Sequence, residues 1–338
     1  MNKKIKIIII LIISFIILII SVGIGSVPIP PLISVKILLN KLFDLSFREN
    51  IDPIQESILW GIRLPRTILA FLSGGGLAVG GVIMQSILRN PLASSYTLGV
   101  SSGAAVGASI AILLGSTIFG AATLPIFGLT FGLLTVFFAI ALAAKLDKSM
   151  ENNTIILTGM AFSLFANAII TVLMSFARQE LHRLVFWQMG SFALKDWSQP
   201  LILFPIVIIF TLIALRYSAE MDIMTFGEEE AKISGVDMNK LKWILISVSA
   251  ILTGCIVSMV GIIGFIDLFT PHVARRIFGS MHKYVVLISF LLGGCFMVFC
   301  DLISRTIIPP IELPVGAVTA LIGAPFFIYL YFSRRKVR

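Results

Sequence analysis

Long, nearly uncharged apolar runs dominate this sequence, and they leave few folds open. A helix that crosses the hydrocarbon of a bilayer needs roughly 20 apolar residues, because each residue advances it by about 1.5 Å. Runs of that kind, separated by charged or Pro-rich breaks, predict crossings at 7–25, 58–87, 96–117, 122–144, 154–177, 200–216, 243–263, 264–281, 284–304 and 314–333. In lipid each backbone N–H and C=O must find its partner within the segment, so the runs predict helices. Composition agrees: 58% of residues are hydrophobic and 13% are charged, against about 25% charged in soluble domains. The expected fold is all-α, one polytopic transmembrane helical bundle of about ten helices over 1–338.

Two crossings need comment. The first follows Lys3, Lys4 and Lys6 as a signal peptide would. Its apolar stretch exceeds the roughly 7 to 15 residues of a signal core, and no small-x-small site precedes Pro28, so a retained helix is expected. The eighth, 264–281, is broken by Gly264, Pro271, Arg275 and Arg276. A discontinuous helix there requires surrounding protein or a water-filled cavity.

The net charge of +9 lacks any sustained basic stripe, so nucleic acid is not an expected partner. Membrane topology accounts for the charge better. With a cytoplasmic N-terminus, alternation puts Arg89, the 145–148 segment, the 216–242 loop, Arg275, Arg276 and the tail 334–338 on one side. Most of the 26 Lys and Arg residues then share that side, and both termini are cytoplasmic. Cys255, Cys295 and Cys300 lie inside apolar runs without a CxxC pair, as core residues do.

Glycines recur at four-residue spacing: Gly76 with Gly80, and Gly99 with Gly103 and Gly107. Such ladders let helix backbones approach, which predicts packing inside a bundle. Arg63 and Arg66 flank Pro65 at the outer start of the second crossing, near the positive pole of its dipole. Two readings fit them: an acidic partner outside the membrane, joined by Arg305, or snorkelling to headgroups. The 218–242 loop is the longest on the cytoplasmic side. In it 226–235 reads as a short amphipathic helix with a Glu228 to Lys232 pair and Gly235 as C-cap, and Asp237 reads as the N-cap of the next helix. A compact knob at the membrane surface and a solvated loop both remain open on spacing alone.

The sequence lacks GxxxxGK[ST], HExxH and GxSxG, and His182, His272 and His282 are scattered. Neither ATP hydrolysis by this chain nor a membrane-embedded enzyme is supported. Asp267 and Asp301 are nearly alone as intramembrane charges, which argues against an ion-coupled secondary transporter.

Six segments carry a resemblance: Gly61-Ile-Arg-Leu-Pro-Arg66, 84–93, 98–105, 271–275, 301–305 and 312–325. Together they resemble the FecCD-type permeases, the transmembrane subunits of type II ABC importers for iron-siderophores, haem and cobalamin. The likeness runs in the family's order from about residue 58 onward. It implies ten helices per subunit in a bacterial cytoplasmic membrane and a second permease subunit, identical or a close paralogue. It also implies two cytoplasmic ATPases that use ATP and Mg, and an extracytoplasmic substrate-binding protein. By the same resemblance Arg63, Arg66 and Arg305 receive acidic residues of the binding protein. Phe226, Gly227, Glu228, Ala231, Gly235 and Val236 belong to coupling helices that sit in the ATPase. Asn90, Pro91 and Leu92, with Asn152 and Asn153, fall at the cytoplasmic gate. The cargo it implies is a chelated metal, foremost an iron-siderophore, and no cofactor is bound by the chain. Asp267 departs from the family, which usually has glycine there. Its carboxylate is expected either to face the pathway or to cap the next helix.

Overall fold

The computed structural model describes residues 3–25, 27, 29–43, 52–115, 118–177 and 179–333. Among them there is no strand, only an isolated bridge between Ile308 and Ile311. The helices are α1 (Lys3–Gly23), α2 (Pro31–Phe43), α3 (Pro53–Ile58), a π turn (Leu59–Arg63), α4 (Leu64–Ile87), α5 (Val100–Leu113), α6 (Thr123–Leu146) and α7 (Asn152–Phe176). They continue as α8 (Leu181–Met189), α9 (Ser198–Arg216), α10 (Ser218–Met224), α11 (Glu228–Ile233), α12 (Met238–Val260), α13 (Ile266–Phe278), α14 (His282–Thr306) and α15 (Val315–Ser333).

Each expected crossing meets a helix. Seven stretches of the described residues are long and apolar enough to cross a membrane: Ile5–Gly23, Pro53–Ile87, Gly120–Leu146, Asn152–Phe176, Ser198–Arg216, Met238–Val260 and His282–Thr306. The chain is a multi-pass membrane protein. Helices α5 and α13, with 14 and 13 residues, are too short to cross alone. Irregular backbone completes each of them, at 88–99 before α5 and at 261–265 before α13. Short α2, α8 and α10 were not expected from the sequence.

The two ends of the bundle are fixed by α1. At its start Lys6 Nζ donates to Ile277 O at 3.0 Å, and Lys3 lies over the Tyr284 ring, so α1 begins beside the turn between α13 and α14. Contacts to this corner gather 85–91, 150–153, 222–242 and 275–282 at the same end, here the near end. That is the grouping charge alternation predicts, except that the tail 334–338 lies outside the described residues.

Helix α4 occupies the centre, buried almost throughout, with α9, α12, α13 and α14 around it. Glycine makes that contact possible. A Cβ on Gly74 would collide with the Gly293 carbonyl, and one on Gly293 would lie 2.5 Å from Gly74 O, so α4 and α14 touch backbone to backbone. Gly76 and Gly80 instead face α12, at Ile256 and Thr253. The ladder on α5 meets α6: Gly103 faces Phe131 O and Gly107 faces Phe127 O. Carbonyls one turn apart are thus met by glycines one turn apart.

The second crossing starts earlier than expected, at Pro53, and Pro65 lies in its interior rather than in its first turn. Proline has no N–H to give, and the chain answers with a π turn, in which Leu64 N bonds Leu59 O. In that register Pro65 would leave Trp60 O without a donor. Trp197 Nε1 donates to it at 2.9 Å, and the two indoles pack with centroids 5.3 Å apart.

Gly74→Ala should lower stability by about 1 to 3 kcal/mol by forcing α4 and α14 apart. Gly61→Ala, whose Cβ would meet nothing within 4 Å, should stay within about 0.5 kcal/mol of the parent. Thermal unfolding of both variants in detergent checks the contrast.

Candidate functional site

Three arginines meet at the far end of the bundle. Arg63 Nη1 donates to Gly23 O at 2.9 Å and Nη2 to Val27 O at 2.5 Å. Arg305 donates to Ile24 O at 3.0 Å, to Ser21 O at 2.5 Å and to Ser21 Oγ at 2.8 Å. These carbonyls close the end of α1, where a helix carries unpaired acceptors and the negative pole of its dipole. Arg66 Nε reaches Asp301 Oδ1 at 3.0 Å, while its two Nη atoms hold Glu312 at 2.8 and 2.9 Å. Asp301, fully buried, also lies 3.5 Å from Arg305 Nε.

This differs from the expectation of arginines offered to another protein. Arg63, Arg66 and Arg305 are 6%, 7% and 7% exposed and are bonded within the chain. The acidic partners are Asp301 and Glu312, and the negative helix pole is that of α1. The burden near a helix start also disappears, because the second crossing begins ten residues before Arg63, at Pro53. Reversing Arg66 would set a carboxylate against Asp301 and disrupt the corner itself.

At the near end α4 stops at Ile87, and Arg89 takes a left-handed conformation with φ 49°. Asn90 Oδ1 accepts from Leu92 N at 2.9 Å, a local turn built around Pro91 that leaves Leu92 exposed. A cavity of about 420 Å³ is lined by Gln85, Arg89, Asn90, Pro91, Arg275 and His282. A second, of about 670 Å³, is lined by Arg89, Asn152, Asn153, Phe226 and Glu228. Asn90 and Pro91 therefore face one cavity while Asn152 and Asn153 face the other, with Arg89 on both. Three side-chain hydrogen bonds join elements here: His282 links Ser86 Oγ at 2.5 Å to Asp222 Oδ1 at 2.7 Å, and Arg275 donates to Gln85 Oε1 at 2.5 Å. Histidine spacing gave no sign of this link, because Asp222 and Ser86 lie far away in sequence.

The 218–242 segment is ordered as a knob. Gly235, with φ 85°, ends α11 by the expected glycine device: Val236 N bonds Ala231 O and Gly235 N bonds Lys232 O, both at 3.0 Å. Asp237 caps α12 through Lys240 N at 3.1 Å, as expected. The Glu228 to Lys232 pair does not form. Glu228 Oε1 instead receives Lys242 Nζ at 2.8 Å, and Lys242 also donates to Met150 O at 2.7 Å. Lys242 is fully buried, and a buried ammonium demands an anion more strongly than a solvated one. Ala231 is buried beneath the knob, whereas Phe226 and Ile233 are 77% and 87% exposed.

Asp267 neither faces open solvent nor caps α13. It is buried, and Oδ2 accepts from Ser94 Oγ, Ser95 N and Ser95 Oγ at 2.5, 2.8 and 2.9 Å.

Asp301→Ala should cost about 3 to 5 kcal/mol, because it leaves Arg66 and Arg305 buried beside no shared carboxylate. Glu312→Ala should cost less, since its side chain is 38% exposed and water replaces the arginine for such a group. Detergent unfolding temperatures of the two variants test the order.

The FecCD transport family matches residues 10–333. YvrB of Bacillus subtilis (strain 168), an uncharacterized ABC transporter permease protein, is 37% identical over 317 residues, covering 93% of this chain and 90% of YvrB. YfmE of the same strain, an Fe(3+)-citrate import system permease protein, is 35% identical over 318 residues, covering 93% and 91%. The solved inward-facing conformation of an ABC transporter assigned to the metal-chelate type superposes with a TM-score of 0.84 at 32% identity, over 96% of this chain and 97% of that one. This chain belongs to the FecCD transport family.

Proposed function

We propose that the chain is the transmembrane permease subunit of an ATP-driven ABC importer that carries a chelated metal, with an iron-siderophore as cargo. Family membership and the likeness to an Fe(3+)-citrate permease and a metal-chelate transporter support this reading. The observation that carries it is the near-end knob, which turns Phe226 and Ile233 outward on a base tied down by Lys242 and Glu228. Exposed apolar side chains on an anchored element fit a protein partner. The partner is a cytoplasmic ABC ATPase that uses ATP and Mg, one copy under each of two permease subunits. The near end is then cytoplasmic, and the membrane is the bacterial cytoplasmic membrane. This chain makes and breaks no covalent bond.

The working cycle follows from the position of the knob. ATP binding would draw the two ATPases together and move α10 and α11, and with them the elements tied to Asp222, Glu228 and Lys242. The Asn90-Pro91-Leu92 turn lies beside that knob, with Asn152 and Asn153 across Arg89, and serves as the cytoplasmic gate. Differential contacts in the two nucleotide states supply the shift. At the far end an extracytoplasmic binding protein docks around Glu312. Arg66 and Arg305 lie against the two carboxylates and Arg63 against backbone carbonyls, so three positive charges meet two negative ones there, which suits an acidic partner. An ion-gradient mechanism is disfavoured, because Asp267 and Asp301 are both held by donors of the chain.

Phe226→Asp with Ile233→Asp should weaken ATPase attachment by at least about tenfold without unfolding the chain, read as loss of co-purification from membranes. Normal co-purification and normal uptake would overturn the coupling assignment. In proteoliposomes the complete transporter should import a ferric hydroxamate chelate with ATP inside. Import of haem, cobalamin or molybdate in its place would reassign the cargo while keeping the permease. Leu92→Cys in both subunits should cross-link in one nucleotide state more than the other, and equal cross-linking would move the gate elsewhere.

A further inference from the structure

We infer that Asp267 is a positioning residue that fastens the 94–97 segment to α13, so that the gate turn and the broken crossing move as one body. The inference rests on the permease reading above for its consequence, and on hydrogen bonds for its geometry.

Asp267 sits in the first turn of α13 and is 1% exposed. All three of its donors converge on Oδ2 from two adjacent serines, one of them through the Ser95 backbone N–H. The 94–97 stretch belongs to no helix, so that buried N–H has no ladder of its own to join. The Asp267 carboxyl oxygen is the acceptor that reaches it, and a buried N–H left without one costs free energy comparable to a lost hydrogen bond. Oδ1 has no hydrogen-bond partner among the described residues, so the side chain is committed to the serine turn.

Neighbouring contacts reinforce the same fastening. Tyr96 OH donates to Ile263 O at 2.8 Å, in the irregular joint before α13. Gln85 Nε2 donates to Asp267 O at 3.2 Å, and a Cβ on Gly81 would collide with that carbonyl, so α4 is pressed against the same turn of α13. On the other side a Cβ on Gly159 would lie 2.6 Å from Thr97 O. The segment is therefore held between the α12–α13 joint and α7, the helix whose first residues are Asn152 and Asn153. Asn90 stands only four residues before Ser94. Tilting α13 must drag Ser94 and Ser95, and through them the Asn90-Pro91-Leu92 turn.

The test uses the complete transporter in nanodiscs. Amide hydrogen exchange at Ser95, whose N–H bonds Asp267, should quicken roughly tenfold in Asp267→Gly and in the Ser94→Ala/Ser95→Ala double variant, as expected when the hydrogen bonds that hold the turn are lost. Asp267→Asn, which keeps an oxygen for the serines, should recover most of the protection. With Leu92→Cys present, the nucleotide dependence of cross-linking should shrink in the first two variants and return in the third. Unchanged exchange in both variants would overturn the inference. So would unchanged nucleotide dependence alongside faster exchange, because Asp267 would then hold the segment without governing the gate. If Asp267→Gly does not assemble, the double serine variant decides, read at Ser95 N–H, because Ser94 Oγ also accepts from Tyr96 N and that amide loses its acceptor whatever Asp267 does. Should Leu92 cross-linking ignore nucleotide in the parent itself, the gate assignment fails, and the exchange result alone judges the fastening.

Discussion

Backbone polar groups inside a membrane have no water to turn to, so each break in a helix must be closed by some other group of the protein. Three such closures organise this chain. Pro65 frees Trp60 O, and the Trp197 indole takes it. The end of α1 exposes carbonyls at Ser21, Gly23, Ile24 and Val27, and Arg63 and Arg305 take them. The unwound 94–97 stretch exposes Ser95 N–H, and Asp267 takes it. In every case the rescuing side chain comes from a distant element, so each repair is also a tertiary tie.

Close backbone approach is the second condition, and it works with the first. With Gly74 against Gly293, α4 lies near enough to α14 for Arg66 to reach Asp301, four residues before Arg305 on the same helix. Gly81 against Asp267 does the same for α4 and α13. Glycines set the separations, and the polar ties then fix register at each end. Between the ends α4 is lined with apolar side chains that carry little directional information.

Much of this was legible in the sequence, for identifiable reasons. Apolar length alone located α6, α7, α9, α12 and α14 to within a few residues, and Gly235 and Asp237 announced their caps through side-chain chemistry that acts locally. The ladder Gly99, Gly103 and Gly107 likewise announced a close helix neighbour. What stayed hidden depends on burial and on long separations. Arg66 finds Asp301 across 235 residues, and Arg63 finds bare carbonyls that no residue type marks. Glu228 chooses Lys242 over the nearer Lys232 because Lys242 is the one deprived of water. Short α2, α8 and α10 lack the length that separates a helix from an apolar stretch of loop.

The two arginines that hold the end of α1, Arg63 and Arg305, also order events during synthesis. Helix α1 is made before α4 and α14, and until they arrive the carbonyls at Ser21, Ile24 and Val27 lack the guanidiniums that hold them. Arg63 arrives with the next crossing and can answer Val22, Gly23 and Val27 at once. Ser21 and Ile24 must wait for Arg305, near the end of α14, so α1 completes its seat only after α14 has been translated. A ribosome stalled before α14 would therefore leave α1 half-capped, with exposed acceptors that a quality-control protease or chaperone in the membrane can read as unfinished.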